Sequence, residues 1–409
     1  MSAMPSRLSA LALCLCAALW GCDDEGTSAD PTADAEMAPD AELTADAGVT
    51  PDAEMTPDAE PDPEPIDFTA PGASRVGFME DEVIYTPPRQ AEPRSLRMVA
   101  WYPTEAETGE STRYAGLLRA DNVLGDAPPA LAEGAPVMLF SHGNSGLAEQ
   151  SYFLAEFMAS HGWLVVAFDH TGNTFNNNDL EIYTLFELRP LDVSAVLDHL
   201  TDLPAEHPLA GAVGDEVLLA GHSFGGYTTL AVAGAGFDVD SLIAGCAEAG
   251  DDFCDYMDEA ESAYRAGFGD DRVVAALPMT PVGATIFAAG LADIDIPLLM
   301  MTGGKDATLP DLQEGDPIWM AMDGPDATRA AFPDAGHFTF TNICDISPAL
   351  AADDGCGDAF IPPVEAHALI NAYALAFGRL YMLDDPAGLP LLTGEVALDD
   401  EAVEIFTQP

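Results

Sequence analysis

From Phe68 onward the chain is punctuated by six short apolar runs: LRMVAWYP, PVMLFSHG, WLVVAFDH, EVLLAGHS, RVVAALPM and PLLMMTGGKD. Each is bounded by turn residues and predicts a strand buried on both faces. Between them lie EQSYFLAEFMASHG and PLDVSAVLDHLTDL, amphipathic and of helical length, and GGYTTLAVAGAG, a helix of small residues. A final helix is predicted through PVEAHALINAYALAFGRLYML, whose apolar residues recur at helical spacing. Strands alternating with helices imply a mainly parallel sheet with helices on both faces. No solenoid-type repeat interrupts this pattern.

The first 67 residues follow other rules. Arg7 precedes the run LSALALCLCAALW and then Gly21-Cys22, with no acidic residue before Asp23. This predicts a signal peptide over residues 1–22, too short for a comfortable membrane span. Its end, Leu19-Trp20-Gly21-Cys22, resembles a bacterial lipobox, in which the Cys22 thiol is diacylated, although Trp20 is bulkier than the usual small residue. The expectation is an exported protein held in the bacterial cell envelope by a lipid anchor, periplasmic or on the outer surface. Residues 23–67 repeat phrases such as TPDAEMTPDAEPDPEP, in which Pro and acidic residues alternate with Ala. Such a stretch repels itself and cannot build a core, so it reads as a disordered tether for a folded domain over residues 68–409.

Charge removes several function classes. The whole chain has 409 residues, 70 acidic and 13 basic. Leader and tether hold 16 of the acidic residues and one basic residue, Arg7, so the folded domain keeps a net charge of about −42. Lys305 is the only lysine. Nucleic-acid binding is disfavoured on this basis and no nucleic-acid partner is expected, because phosphate contacts need cations that such a surface lacks. Anionic membranes and polyanionic substrates are disfavoured for the same reason.

With Cys14 and Cys16 lost with the leader and Cys22 lipidated, four cysteines remain: Cys246, Cys254, Cys344 and Cys356. In an oxidising compartment they are expected as disulfides. Three connectivities are possible, of which Cys246 with Cys254 and Cys344 with Cys356 is the most economical. Neither pair has the close spacing or clustered His that zinc requires, so no metal is expected.

The sharpest chemical signal is Gly221-His222-Ser223-Phe224-Gly225, a GxSxG segment set between a predicted strand and a small-residue helix. That context is a nucleophile elbow, in which a strained turn lifts the Ser hydroxyl above the sheet. A serine hydroxyl needs a base, and the base needs a carboxylate to orient it, in the chain order Ser, Asp, His. Asp306 follows the strand PLLMMTGGKD, at the sheet edge where open α/β folds place their sites, with Asp293 and Asp311 as rivals. His337, in AAFPDAGHFTFTN after the expected last strand, is the candidate base. His199 and His367 fall in helical patterns, His207 lies in a polar loop, and His161 ends a helix, where it would complement the dipole. Oxyanion donors are expected from the backbone amides of Phe224 and of Asn144, the latter in the loop Ser141-His142-Gly143-Asn144-Ser145-Gly146.

Together LRMVAWYP, FSHGNSG, SYFLAEFMASHGWLVVAFDHTGN, GHSFGG, IPLLMMTGGKD and AGHFTF resemble the platelet-activating-factor acetylhydrolase and predicted dienelactone-hydrolase-like group of α/β-hydrolases. Bacterial polyester hydrolases and cutinase-like enzymes look similar in the same loops. The resemblance implies the α/β-hydrolase fold, with Ser223 as nucleophile, Asp306 as acid, His337 as base, and Phe224 and Asn144 as oxyanion donors. Two departures stand out. Mammalian members of the acetylhydrolase group carry their acid after the preceding strand, where this chain reads LPMT, and true dienelactone hydrolases use Cys where this chain has Ser223. Residues from about 237 to 271 resemble a lid insertion, stapled by Cys246 and Cys254. The implied activity is hydrolysis of a small or lipid-like carboxylic ester through an acyl-enzyme, with no cofactor. An amidase or peptidase of the same fold, and a surface lipoprotein that binds without catalysis, are the alternatives.

Overall fold

The computed structural model describes residues 66–408, Pro325 excepted. The expected signal peptide, Cys22 and all but the end of the tether lie outside the described residues.

The described residues build one eleven-stranded sheet, in the order β11-β10-β9-β8-β7-β5-β6-β2-β1-β4-β3. Its parallel centre consists of β5 (Ala135–Ser141), β6 (Leu164–Phe168), β7 (Val213–His222), β8 (Val273–Met279), β9 (Leu298–Gly303) and β10 (Ala327–Phe332). Five of these six are apolar runs named above. They are apolar throughout because helices cover both of their faces. β2 (Arg94–Thr104) joins β6 antiparallel.

Four strands depart from the sequence reading. β1 (Arg75–Tyr85) pairs antiparallel with β2 along its whole length, and β4 (Leu118–Gly125) and β3 (Ser111–Tyr114) extend that edge. β1 escapes an apolar-run criterion because Glu80, Asp81 and Glu82 sit in its middle. Glu80 is salt-bridged to Arg97 at 2.8 Å, and Asp81 accepts from His199 at 2.8 Å. β11 (Glu404–Thr407) adds antiparallel to β10, so the strand before His337 is not the last.

On one face α1 (Tyr152–Ser160) packs with the helix Pro363–Leu383, whose bounds match the apolar segment PVEAHALINAYALAFGRLYML; it is not the final helix, since a short one, Leu389–Leu392, follows it. The approach is tight: a Cβ on Gly378 would stand 2.6 Å from the ring of the buried Trp163. On the other face α2 (Ile182–Thr201) sets Val193, Val196, Leu197 and Leu200 against Leu139, Val166 and Leu219. α3 (Phe224–Val232) packs Tyr227 and Leu230 with Phe287, Leu298 and Met300.

α2 starts eight residues before the segment PLDVSAVLDHLTDL, and Pro190 lies inside it rather than at its first turn. A proline there deprives the Phe186 carbonyl of its helical donor. The Tyr227 hydroxyl supplies a replacement at 2.7 Å, a compensation invisible in local sequence.

The insertion between α3 and β8 is a helical hairpin of α4 (Val239–Ala249) and α5 (Asp251–Ala266), which turns at Gly250 with φ 117°. The Cys246–Cys254 disulfide joins the two helices, and Cys344–Cys356 is the second bridge, which decides the connectivity. α5 docks onto α2 through Tyr256, which stacks near Tyr183 and donates to Glu187 at 2.6 Å. Among the described residues no helix is long and apolar enough to cross a membrane.

The Tyr227 compensation has a measurable cost. Tyr227→Phe leaves the Phe186 carbonyl buried without a donor and should lower unfolding free energy by about 1–3 kcal/mol in chemical denaturation.

Candidate active site

The strand-to-helix corner after β7 is shaped by backbone contact. A Cβ on Gly225 would lie 1.8 Å from the Ser141 carbonyl oxygen, and one on Gly221 would lie 2.3 Å from the Gly225 oxygen. Only glycine fits at either position. Ser223, between them, is held at φ 58° and ψ −115°, where a residue with a side chain is strained. Its amide donates to the Met279 carbonyl at 2.9 Å, which anchors the corner to β8.

Asp306 lies in the turn after β9, and His337 opens the short 3-10 turn His337–Phe340 after β10. Their side chains meet: Nδ1 of His337 donates to Oδ2 of Asp306 at 2.7 Å, and both residues are buried. The other carboxylate oxygen, Oδ1, accepts from the Leu309 amide at 2.6 Å. The rivals are placed elsewhere. Asp311 is salt-bridged to Arg329, and Asp293 is exposed. Thr280, which stands in the LPMT segment, has φ 40° and a buried hydroxyl with no partner among the described residues.

His337 approaches Ser223 through the residue next to it. The His222 ring lies 4.6 Å from that of His337, centroid to centroid, and its Nε2–H donates to the His337 carbonyl at 2.9 Å. Gln150 Nε2 donates to the other nitrogen of His222 at 2.9 Å, and Gln150 Oε1 accepts the Gly143 amide at 3.0 Å. One relay therefore ties the loop after β5, the Ser223 corner and the His337 loop together. Among the described residues the Ser223 hydroxyl itself makes no hydrogen bond.

The loop after β5 runs close beside this corner, since a Cβ on Gly143 would be 3.4 Å from that of Ser223. The backbone amides of Asn144 and of Phe224 have no acceptor among the described residues. Phe224 opens α3, where helical geometry leaves the first amides free. Asn144 is held by a chain of bonds that the sequence reading missed. Arg189 donates to Asn173 Oδ1 at 2.6 Å, and Asn173 Nδ2 donates to Asn144 Oδ1 at 2.7 Å. An arginine only donates, so it fixes the orientation of Asn173 and, through it, of Asn144.

Arg189 is fully buried. It also donates to the Ser141 hydroxyl at 3.2 Å and to the His142 carbonyl, and its guanidinium lies 4.6 Å from the centre of the Phe224 ring. Burial pulls it down to about 9, a penalty that nearby Asp192 offsets in part, and it keeps its proton at neutral pH. Asp192 accepts from Arg94 at 2.6 and 2.8 Å and from His170 Nδ1 at 2.8 Å. His170 Nε2 in turn lies 2.9 Å from the Ser141 hydroxyl. The charges flanking Pro190 in the segment ELRPLD were the available signal.

His142, His170 and His222 are fully buried, and burial holds each well below the ordinary 6.5. Burial also lowers His161, which ends α1, donates to the Ala70 carbonyl at 3.1 Å and packs its ring at a tilt against Phe157. For a base with a depressed folded value, the unfolded chain binds protons first. Stability is complete above about 6.5 and falls as pH drops below it. Urea midpoints should therefore decline from pH 7.5 to pH 5.5, and replacing His142 by Gln should flatten that decline.

No described protein family matches the sequence, and neither does any curated protein. A solved structure does match in shape: a ferulic acid esterase from Streptomyces cinnamoneus superposes with a TM-score of 0.60 at 20% identity, over 83% of this chain and 99% of the other. With its parallel centre, its antiparallel edge strands and helices on both faces, the described part of this chain has the α/β-hydrolase fold.

Proposed function

We propose that this chain is an exported serine esterase, with Ser223 as nucleophile, His337 as general base and Asp306 as the carboxylate that orients it. The observation that carries the reading is a non-glycine residue forced to φ 58° at the strand-to-helix corner, beside a buried His–Asp pair whose loop is bonded to its neighbour. Strain of this kind persists only where the surroundings impose it.

With Nδ1 of His337 engaged by Asp306, Nε2 is the nitrogen left to receive a proton. In the proposed reaction the Ser223 oxygen bonds to the ester carbonyl carbon while its proton passes to Nε2. The amides of Phe224 and Asn144 donate to the oxyanion that forms. The carbon–alkoxide bond then breaks, and His337 returns the proton to the departing alcohol. Water adds to the acyl-enzyme, gives a proton to the same nitrogen, and releases the carboxylic acid with Ser223 restored. Arg189 is a positioning residue for the Asn144 side of this arrangement, and its charge faces the same end of the sheet.

Several finer points belong to the same proposal. The sequence motifs support a place in the platelet-activating-factor acetylhydrolase and dienelactone-hydrolase-like group, with a small or lipid-like ester as substrate. A solved protein of similar fold is named a ferulic acid esterase, which agrees with ester hydrolysis. The hairpin of α4 and α5 would act as a lid. Two disulfides accord with an oxidising compartment, and Cys22 is proposed as the lipid attachment point.

A panel of nitrophenyl esters, with the matching anilides alongside, tests the chemistry. Wild type should cleave esters faster than anilides and take up a fluorophosphonate on Ser223, and Ser223→Ala should lose at least ~10³-fold in kcat. Near-equal rates for the two proteins would remove Ser223 from the mechanism. Faster anilide turnover would make the chain an amidase. For the anchor, Cys22→Ala should move the expressed protein from the membrane fraction to the soluble one, with loss of the acyl mass at the N-terminus.

A further inference from the structure

We infer that Asp354, on the loop closed by the Cys344–Cys356 disulfide, is a positioning residue that holds the His337 and Asp306 loops in one piece. The inference rests on the esterase reading only for its kinetic readout.

His337 and Asp306 come from turns after two different strands, β10 and β9. Their one direct bond, 2.7 Å long, is all that joins the two side chains. The backbones of the two turns join ahead of these residues, where the Gly304 amide donates to the Phe332 carbonyl and the Lys305 amide to the Ala335 carbonyl, both at 2.9 Å, so what remains to be fixed is the far side of each turn, at His337 and just after Asp306. Asp354 spans them with four bonds. Its Oδ1 accepts the His337 amide at 2.9 Å and the Ala307 amide at 3.0 Å. Its Oδ2 accepts the Thr308 hydroxyl at 2.6 Å, and its backbone carbonyl accepts the Phe338 amide at 2.9 Å. Two of these bonds reach the His337 turn and two reach the residues just after Asp306. The side chain is nine-tenths buried, where bonds to a carboxylate are strong.

The loop is built to deliver this one group. The disulfide closes it two residues beyond Asp354, and both Asp354 and Cys356 donate their amides to the Ala351 carbonyl, at 3.1 and 2.9 Å. Gly355, at φ 137°, lets the chain turn back, and a Cβ there would lie 2.7 Å from the Thr339 amide nitrogen. The lone lysine adds an outer tie. The Lys305 ammonium bonds Asp334 at 2.7 Å and the Ala359 carbonyl, but its side chain is 42% exposed. An exposed pair of that kind contributes little, so the buried carboxylate is the stronger of the two ties.

The test compares Asp354→Ala with Asp354→Asn in the full chain. An asparagine oxygen can accept both amides, and the Thr308 hydroxyl can rotate to accept from its nitrogen, so the bonds survive while the charge is lost. Per site titrated by fluorophosphonate, Asp354→Ala should lose roughly 10- to 100-fold in kcat with KM changed less than about 2-fold, and Asp354→Asn should stay within about 3-fold of wild type. The double variant Cys344→Ser/Cys356→Ser should fall between them, and it serves as the probe if the alanine variant does not fold. An alanine variant within about 2-fold of wild type, or an asparagine variant as impaired as alanine, would overturn the inference. Hydrogen exchange at the His337 and Ala307 amides provides a readout independent of turnover. It should be slow in wild type and fast in Asp354→Ala and the double variant, and unchanged exchange overturns the inference. A wild type inert toward esters and fluorophosphonate, with this exchange pattern intact, would end the esterase reading and leave the positioning role standing.

Discussion

One backbone contact organises the carboxyl edge of the sheet: the end of β5 passes so close to the turn after β7 that Gly225 has no room for a side chain against the Ser141 carbonyl. Because β5 and β7 are neighbours in the sheet, that contact sets the loop after β5 beside Ser223 and allows Asn144 and Phe224 to present free amides at the same corner. It also decides the strain at Ser223, since the corner has no slack through which φ could relax. The remaining site residues are arranged around a position already determined by this crossing.

Beneath that corner lies a buried polar network centred on Arg189 and Asp192. Buried charges are costly unless every donor and acceptor is matched. Here Asp192 takes Arg94, His170 and the Tyr85 hydroxyl, and Arg189 takes Asn173, Ser141, the His142 carbonyl and Thr228. Satisfied in this way, the network acts as rigid support for the loop it touches and places one cation at the end of the sheet where the proposed reaction develops negative charge. The contrast with the surface is sharp. A domain of about −42 net charge commits Arg94, Arg189 and Arg329 to its interior and pairs Arg89, Arg97 and Arg272 with carboxylates. Most of its few cations are thus engaged with the protein's own carboxylates and carbonyls.

The disulfides divide two tasks between them. Cys246–Cys254 braces a helical hairpin whose own core is small, Met257, Ala260 and Tyr264 packed with Phe237 and Phe268. Cys344–Cys356 closes a loop with little regular structure, and there it presents Asp354 to the turns bearing Asp306 and His337. In both places a covalent link stands in for core that a short segment cannot bury.

By itself the sequence determined the elements whose signals are local. Continuous apolar runs marked the buried parallel strands, helical periodicity marked Pro363–Leu383, and glycines two before and two after Ser223 marked the corner, because each pattern answers to contacts within a few residues. The pairing of Asp306 with His337 was legible as chain order. Only the tertiary structure could choose Asp306 over Asp293 and Asp311, since the choice depends on which turn faces which across the sheet. Tertiary structure alone also placed the acidic strand β1, carried α2 through Pro190 by way of Tyr227, and assembled Arg189 and Asp354 with partners from distant segments. In each of those cases the deciding partner is supplied by a segment remote in the chain, so local pattern carries no trace of it until the backbone has folded.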